Sequence, residues 1–347
     1  MFEINTREIS RSSRPYIIAE LSANHDGSFD KALATIRAAK LSGADAVKLQ
    51  TYTPETMTID CDSPEFSIEG GLWDGYSLHQ LYKEAHTPWE WHKPLFDEAK
   101  NLGIDIFSTP FDESAVDFLD SLGAPAFKIA SFELTDHPLV SHAASKGKPL
   151  LMSTGMATKE EIAESLEVAR SAGAKEILLF HCVSAYPAPL EDYNLSMITE
   201  LREAFSVEVG LSDHTIGNEA SVIATALGAS AIEKHFTLDR SDLGPDSQFS
   251  IEPDEMRVLK DQVDKTFSAM GTSTYKRSSA ELANKKFRRS IYFVKDVPAG
   301  SVLSGADIRR IRPGYGLEPK LYSSLIGKRI SRNAFRGEPL TLEHLDA

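Results

Sequence analysis

Between Tyr16 and Phe236 the chain alternates short apolar runs with longer stretches whose apolar positions recur at helical spacing. The runs YIIAEL, DAVKLQT, IDIFSTP, AFKIAS, PLLMST, EILLFHC, EVGLSD and AIEKHFT are rich in Val, Ile, Leu and Phe, as strands covered on both faces must be. The stretches between them include SFDKALATIRAAKLSG, PWEWHKPLFDEAKNLG, TKEEIAESLEVARSAG and GNEASVIATALG. Each closes on Gly, the residue best able to end a helix in the left-handed conformation. Eight β/α units in about 250 residues predict an α/β fold of the closed kind, a (β/α)8 TIM barrel. A doubly wound open sheet is the alternative, but no Gly-x-Gly-x-x-Gly follows the first strand. The interruption from Tyr52 to Tyr76, rich in Pro, Gly, Asp and Glu, is too long for an ordinary βα loop and falls where a lid over the barrel would lie.

The pattern changes after a last helical stretch near Pro253 to Met270. Short β-like runs broken by Pro and Gly predict a small, compact, mostly irregular β domain. The expected organisation is a barrel domain over 1–275, a linker over 276–289 and a β-rich tail over 290–347. So short a tail has a thin core and is expected to lean on a barrel of its own or on another chain.

Composition narrows the class. At 347 residues and 41% hydrophobic the chain can bury a large core. Its net charge of −14 disfavours nucleic acid and anionic lipid, so an anionic ligand needs a local basic pocket. No apolar run reaches the roughly 18 residues that span a bilayer, and the polar start MFEINTREISRSSRP has no signal-peptide centre, so a cytoplasmic protein without membrane attachment is expected. Cys61 and Cys182 are too few and too distant for a disulfide framework or a four-thiolate zinc site. Lys276, Arg277, Lys285, Lys286, Arg288 and Arg289 cluster in a polar segment and read first as a solvated linker.

Active sites of β/α barrels gather at the C-terminal ends of the strands, and here those ends are polar. Lys48 and Lys128 lie inside apolar runs, where an unpaired ammonium is costly to bury. Alternation puts Val47 and Leu49 opposite Lys48, and Phe127 and Ile129 opposite Lys128, so both lysines can point inward. Two readings follow: ion pairs with Asp or Glu, or, with Thr109, Ser131, Ser153 and Ser212 around them, a pocket for phosphate and carboxylate. His214 and His235 end the seventh and eighth strands and could share a divalent ion, although two histidines are equally consistent with core hydrogen bonding. Such an ion, with open positions, would polarise a carbonyl. Glu20 and Asp246 are proton-transfer candidates or, alternatively, salt-bridge partners of the lysines. A Schiff-base aldolase using Lys128 or Lys234, and a non-enzymatic carbohydrate-binding protein, are rival readings.

The segments AELSANHDG, AVKLQT, FSTPFD, FKIASFEL, LMSTGMA, HCVSAYPAP, GLSDHTIG, IEKHFT and GPDSQFS resemble, in order, the motifs of the sialic acid synthase family. The tail, with RPGYG and GKRISRNAFRGEPLTLEHL, resembles the antifreeze-like domain (SAF, a β-clip) of the same enzymes. AELSANH, YSLHQLYKEAHTPWEWH and GPDS are similar to the pseudaminic acid synthases within it, where sialate synthases read closer to AEIGxNHxG and GPDH. The resemblance implies a transferase of carbohydrate biosynthesis, of the kind that serves flagellin glycosylation. Its expected reaction joins phosphoenolpyruvate, water and the open-chain aldehyde of 2,4-diacetamido-2,4,6-trideoxy-L-altrose through a tetrahedral intermediate that loses phosphate by C–O cleavage. N-acetylneuraminate and legionaminate synthases are the alternatives inside the family.

The resemblance further implies a divalent ion held by His214 and His235, manganese before magnesium or cobalt. Lys48, Thr109, Lys128, Ser131, Ser153 and Ser212 are then expected on phosphoenolpyruvate, and Glu20, Gln50, Tyr186 and Asp246 on the sugar. Ser184 stands where sialate synthases usually have Asn, a departure at the phosphoenolpyruvate end. In this family the tail crosses a domain-swapped homodimer, and Arg312 of RPGYG matches the arginine that reaches the sugar's N-acyl group. Without the resemblance, Arg312 reads as a surface arginine.

Overall fold

A computed structural model describes residues 2–70, 73–242 and 244–346. Met1 and Ala347, the ends of the expected domains, and positions 71 and 72 of the expected lid lie outside the described residues. The chain divides into two compact units, Met1–Gly271 and Thr272–Ala347.

The first unit opens with a hairpin of β1 (Phe2–Ile4) and β2 (Arg7–Ile9). Eight strands follow: β3 (Tyr16–Glu20), β4 (Ala46–Thr51), β5 (Asp105–Pro110), β6 (Phe127–Ile129), β7 (Leu150–Ser153), β8 (Ile177–Cys182), β9 (Glu208–Asp213) and β10 (Ala231–His235). They pair in parallel in sequence order and close β10 onto β3, giving a closed barrel. The eight apolar runs are these eight strands, so the (β/α)8 expectation holds.

Helices form where caps and apolar spacing agree. The helix Phe29–Leu41 starts on Ser28, whose side chain accepts from the Lys31 backbone. Lys159–Ser171 opens with a reciprocal capping box between Thr158 and Glu161. Trp89–Leu102 ends on Gly103 in the left-handed conformation. Their apolar faces pack on the outer surface of the strands in one cluster containing Ile36, Leu95, Leu119, Val140, Leu166 and Leu259. A second cluster fills the barrel interior at its N-terminal end, where Tyr16, Ile18, Phe107, Leu151, Leu178 and Phe180 meet Phe2, Ile4 and Ile9 of the hairpin. With that end filled by apolar groups, the polar residues of the strands are left at the opposite mouth.

The interruption after β4 contains a short helix Pro54–Met57 and a bridge between Ser67 and Ser77, ahead of the helix Leu78–Ala85. Its first residue, Tyr52, is buried against Tyr82 and Phe111.

The second unit pairs β11 (Ser290–Phe293) with β12 (Ile308–Ile311) in antiparallel fashion. Isolated bridges such as Val297 to Ala334 and Ile330 to Leu345 tie in the rest. Ile291, Phe293, Leu303, Ile308, Leu325, Ile330 and Leu340 form its own core. The tail expected to lean on another body therefore buries a core within itself. The residues at 276–289 are exposed throughout, and they include a short helix Ser279–Ala283.

Candidate active site

Parallel register brings Glu20 beside Lys48 and Ser212 beside Glu233 at the mouth of the barrel. Lys48 Nζ lies 2.7 Å from Glu20 Oε2, 3.1 Å from Thr109 Oγ1 and 3.9 Å from Glu233 Oε2. Lys128 Nζ lies 3.3 Å from Glu233 Oε1, over the Phe180 ring, and the Ser212 hydroxyl donates to the same carboxylate oxygen at 2.9 Å. Two ammonium groups and two carboxyls are thus buried together, and the ion-pair reading of both lysines is realised. Among the polar residues that end the eighth strand, Glu233 receives no role from the sequence alone. The signal was available: Glu233 is two residues before His235 on one strand and shares its face.

Electrostatics separates the two acids. Burial raises the Glu20 carboxyl above the usual range, against the pull of Lys48 and with the help of the Glu233 charge. Burial also opposes the Glu233 carboxylate, but Lys128, Lys48 and Ser212 outweigh it and hold that group below the usual carboxylate range. Glu233 is therefore the fixed charge of the pair, and Glu20 is the one that can exchange a proton near neutrality.

Beside this quartet stands a set of small donors. Ser131 Oγ accepts from the Gly155 backbone N–H at 3.1 Å and lies 3.0 Å from Cys182 Sγ. Ser153 Oγ and Ser184 Oγ are buried with no hydrogen-bond partner among the described residues. Unpaired buried hydroxyls are rare without a ligand or water to satisfy them. A Cβ on Gly155 would collide with Ser184 Oγ and stand 2.8 Å from Ser131 Oγ, so glycine alone lets this loop close on the two hydroxyls. With Lys48, Lys128 and Thr109, the group has the character of an anion pocket.

The two candidate imidazoles come together. The His214 and His235 rings are 5.5 Å apart. His214 Nδ1 is 2.8 Å from the Val183 carbonyl oxygen, which makes it the N–H donor and leaves the lone pair on Nε2, 3.3 Å from Ser212 Oγ. His235 Nδ1 has no hydrogen-bond partner among the described residues and lies 3.7 Å from Asp246 Oδ2. Burial brings His214 down to about 4 and His235 well below the usual imidazole range, so both rings are neutral lone-pair donors. Among the described residues no group of three or more His, Cys, Asp or Glu side chains is arranged to hold a metal. The donor set still fits a divalent ion: two neutral nitrogens, one of them orphaned, with the remaining positions open to oxygens.

Around the histidines, Asp246 accepts from the Ser22 hydroxyl, and burial raises its carboxyl. Gln50 Nε2 donates to Glu20 Oε1 at 3.0 Å and to Ser22 Oγ at 2.9 Å, linking the two acids. The Tyr186 ring is 4.4 Å from His214 and 6.4 Å from Trp73. Glu133, also absent from the sequence candidates, follows β6. Burial raises it to about 7, and its Oε2 has no partner among the described residues. Lys234 is not free for Schiff-base chemistry: its Nζ is 3.0 Å from Asp213 Oδ2 and donates to the Thr215 carbonyl at 2.8 Å. Arg312 lies in the other unit, exposed, in a cleft of about 680 Å³ with Arg289, Arg309, Arg310, Ile311 and Tyr322.

Fold and site together define a (β/α)8-barrel protein with a buried anion pocket next to a pair of neutral imidazoles. The chain belongs to the NeuB family, which matches residues 35–275, and residues 288–346 match the SAF domain. It is 45% identical to a pseudaminic acid synthase of Campylobacter jejuni subsp. jejuni, an alignment covering 94% of this chain and 95% of that one. It is 41% identical to the pseudaminic acid synthase of Helicobacter pylori over 96% of this chain and 98% of that one. Among solved structures it is similar to the spore coat polysaccharide biosynthesis protein SpsE of Bacillus subtilis. That likeness has a TM-score of 0.68 at 32% identity and covers 100% of this chain and 99% of that one.

Proposed function

We propose that the protein is a pseudaminic acid synthase. It condenses phosphoenolpyruvate with the open-chain aldehyde of 2,4-diacetamido-2,4,6-trideoxy-L-altrose, and water, to give pseudaminic acid and phosphate. The observation that carries this reading is the pairing of the Lys48–Lys128 anion pocket, with its unpaired Ser153 and Ser184 hydroxyls, and two neutral imidazoles within one barrel mouth. The C. jejuni and H. pylori relatives support the choice of sugar.

In this mechanism Lys48, Lys128, Thr109, Ser131, Ser153, Ser184 and Ser212 hold the carboxylate and phosphate of phosphoenolpyruvate. Gln50, Tyr186 and Asp246 orient the sugar. His214 and His235 would hold a divalent ion, manganese by preference, with magnesium or cobalt as substitutes; when bound it supplies Lewis-acid polarisation of the aldehyde oxygen. C3 of phosphoenolpyruvate attacks the aldehyde carbon, and the Glu20 carboxyl, raised by burial, gives its proton to the new sugar oxygen. Water adds to the C2 cation and its proton passes to a carboxylate, for which Asp246 and Glu133, both made more basic by burial, are the candidates. The C2–O bond to phosphate then breaks as the C2 hydroxyl becomes the ketone, and phosphate leaves with that bridging oxygen and the hydroxyl proton.

The reading extends to assembly. The apolar side chains of Phe132, Met156 and Ile216 are exposed on loops that follow β6, β7 and β9. Residues 1–271 carry 44 Asp and Glu against 22 Lys and Arg, while residues 272–347 carry 15 Lys and Arg against 7 Asp and Glu. Opposite net charge and an apolar rim support a homodimer in which the basic tail of one chain covers the barrel mouth of the other's acidic first unit, with Arg312 toward the sugar's acyl group. No helix among the described residues is long and apolar enough to cross a membrane, and small soluble substrates suit a cytoplasmic enzyme.

The test is phosphate release from phosphoenolpyruvate and manganese against N-acetylmannosamine and the altro and gluco diacetamido sugars. The altro sugar is expected to give the highest kcat/KM. A clear preference for N-acetylmannosamine removes the pseudaminate assignment and keeps the family.

A further inference from the structure

Trp73, in the insertion after β4, has a buried indole N–H with no acceptor among the described residues. A buried indole N–H ordinarily finds a partner, and one that has none in the protein is open to a water or a ligand acceptor. Its ring stands 6.4 Å from that of Tyr186, tilted by 52°. Tyr186 in turn packs 5.3 Å from Phe249 and 4.4 Å from His214. The site thus has a hydroxylated, cationic part around Lys48 and Lys128 and an aromatic part that runs from the imidazoles outward through Tyr186 to Trp73. Aromatic faces take methyl groups and C–H edges, and the buried indole N–H, without a partner among the described residues, needs an oxygen.

On the proposed condensation of a diacetamido sugar, the imidazoles mark the aldehyde end, and Trp73 is one ring further out. We propose that Trp73 is a specificity-determining residue that reads the end of the sugar remote from the aldehyde. Its N–H donates to the acyl oxygen of the C4 acetamido group, while the indole and phenol rings cover the C6 methyl. N-acetylmannosamine carries a hydroxyl at C4 and a hydroxymethyl group at C5; it offers no acyl oxygen to the indole and sets a polar group against the rings. A site built to hydrogen-bond one substituent discriminates strongly against an analogue that lacks it.

Trp73→Phe keeps a ring and removes the N–H, and Trp73→Ala removes both. The experiment measures kcat and KM of the 347-residue protein, supplied with manganese, and of both variants for the L-altro diacetamido sugar and for N-acetylmannosamine, with the KM for phosphoenolpyruvate recorded alongside. Trp73→Phe is expected to raise the KM for the diacetamido sugar about tenfold with kcat within about twofold, as the loss of one hydrogen bond does. Trp73→Ala is expected to raise it by about a hundredfold. The preference over N-acetylmannosamine falls in step, and the KM for phosphoenolpyruvate stays fixed. An unchanged ratio of kcat/KM between the two sugars in both variants, or an equal rise in both substrates' KM, overturns the assignment. If Trp73→Ala does not fold by circular dichroism, Trp73→Phe alone decides. The wild-type preference tests the underlying function separately, since it is read before any variant is made.

Discussion

Lys48, Lys128, Glu20 and Glu233 each have an opposite charge within reach, and that mutual pairing is what allows four ionisable groups to be buried in one barrel. Lys128→Met leaves Glu233 short of a counter-charge and removes an anion ligand, so kcat/KM is expected to fall on the order of a hundredfold or more in a phosphate-release assay. Gly155→Ala is a subtler perturbation. Its methyl displaces Ser184 and Ser131, and the KM for phosphoenolpyruvate should rise about tenfold with the sugar's KM little changed. Acid acts on stability through other groups. Burial lowers His25 and His92 to about 4 from a model-peptide value near 6.5. The unfolded chain therefore binds more protons between those values, and the stabilisation present above pH 6.5 is lost as pH falls toward 4, on the order of 3 kcal/mol for each ring. Urea midpoints at pH 7, 5.5 and 4.5 should drop accordingly, and more steeply than in His92→Gln. Most of these residues were legible in the sequence because a polar side chain inside an apolar run has few uses. Glu233 was readable by parity with His235, whereas the Trp73 contact depends on how an insertion folds back across the chain, which no local pattern encodes.

At the level of elements, the histidines are placed by backbone, and the backbone is pinned from behind. Asp213 accepts from Thr215 N, Thr215 Oγ1 and Ser221 Oγ and pairs with Lys234. The turn carrying His214 is thereby tied to the strand carrying His235. The His214 backbone N–H also donates to Tyr193 Oη at 2.7 Å. Lys234→Met strands a buried aspartate, so the protein should lose about 3–5 kcal/mol of stability. The same variant should weaken manganese binding followed by electron paramagnetic resonance without substrates, about tenfold or more. A loss of stability with unchanged manganese affinity would show the clamp to be structural alone. The eight strands were readable because alternation of apolar runs and capped helices is a local signal. The closure of β10 onto β3 is not local, and it followed only from the count of units.

Across the whole molecule, the change of texture after Met270 is legible in the sequence, whereas the composition of the tail's core is not. Ile291, Phe293, Ile308, Leu325, Ile330 and Leu340 come from separated turns, and only their assembly reveals one core. The proposed dimer makes a prediction that neither unit alone can meet. A chain carrying Arg312→Ala has an intact barrel, and a chain carrying Lys128→Met has an intact tail. Mixed after dissociation, the two impaired chains should regain about a quarter of wild-type activity if tails act across the dimer, and none if each tail serves its own barrel. The central claim is the condensation itself, by cleavage of the C–O bond of phosphoenolpyruvate. Its most direct test is turnover of phosphoenolpyruvate labelled with oxygen-18 in the bridging position, with manganese and the L-altro diacetamido sugar, followed by mass spectrometry. The account predicts that the label leaves entirely in inorganic phosphate as the nonulosonic acid forms; label retained in the product would contradict it.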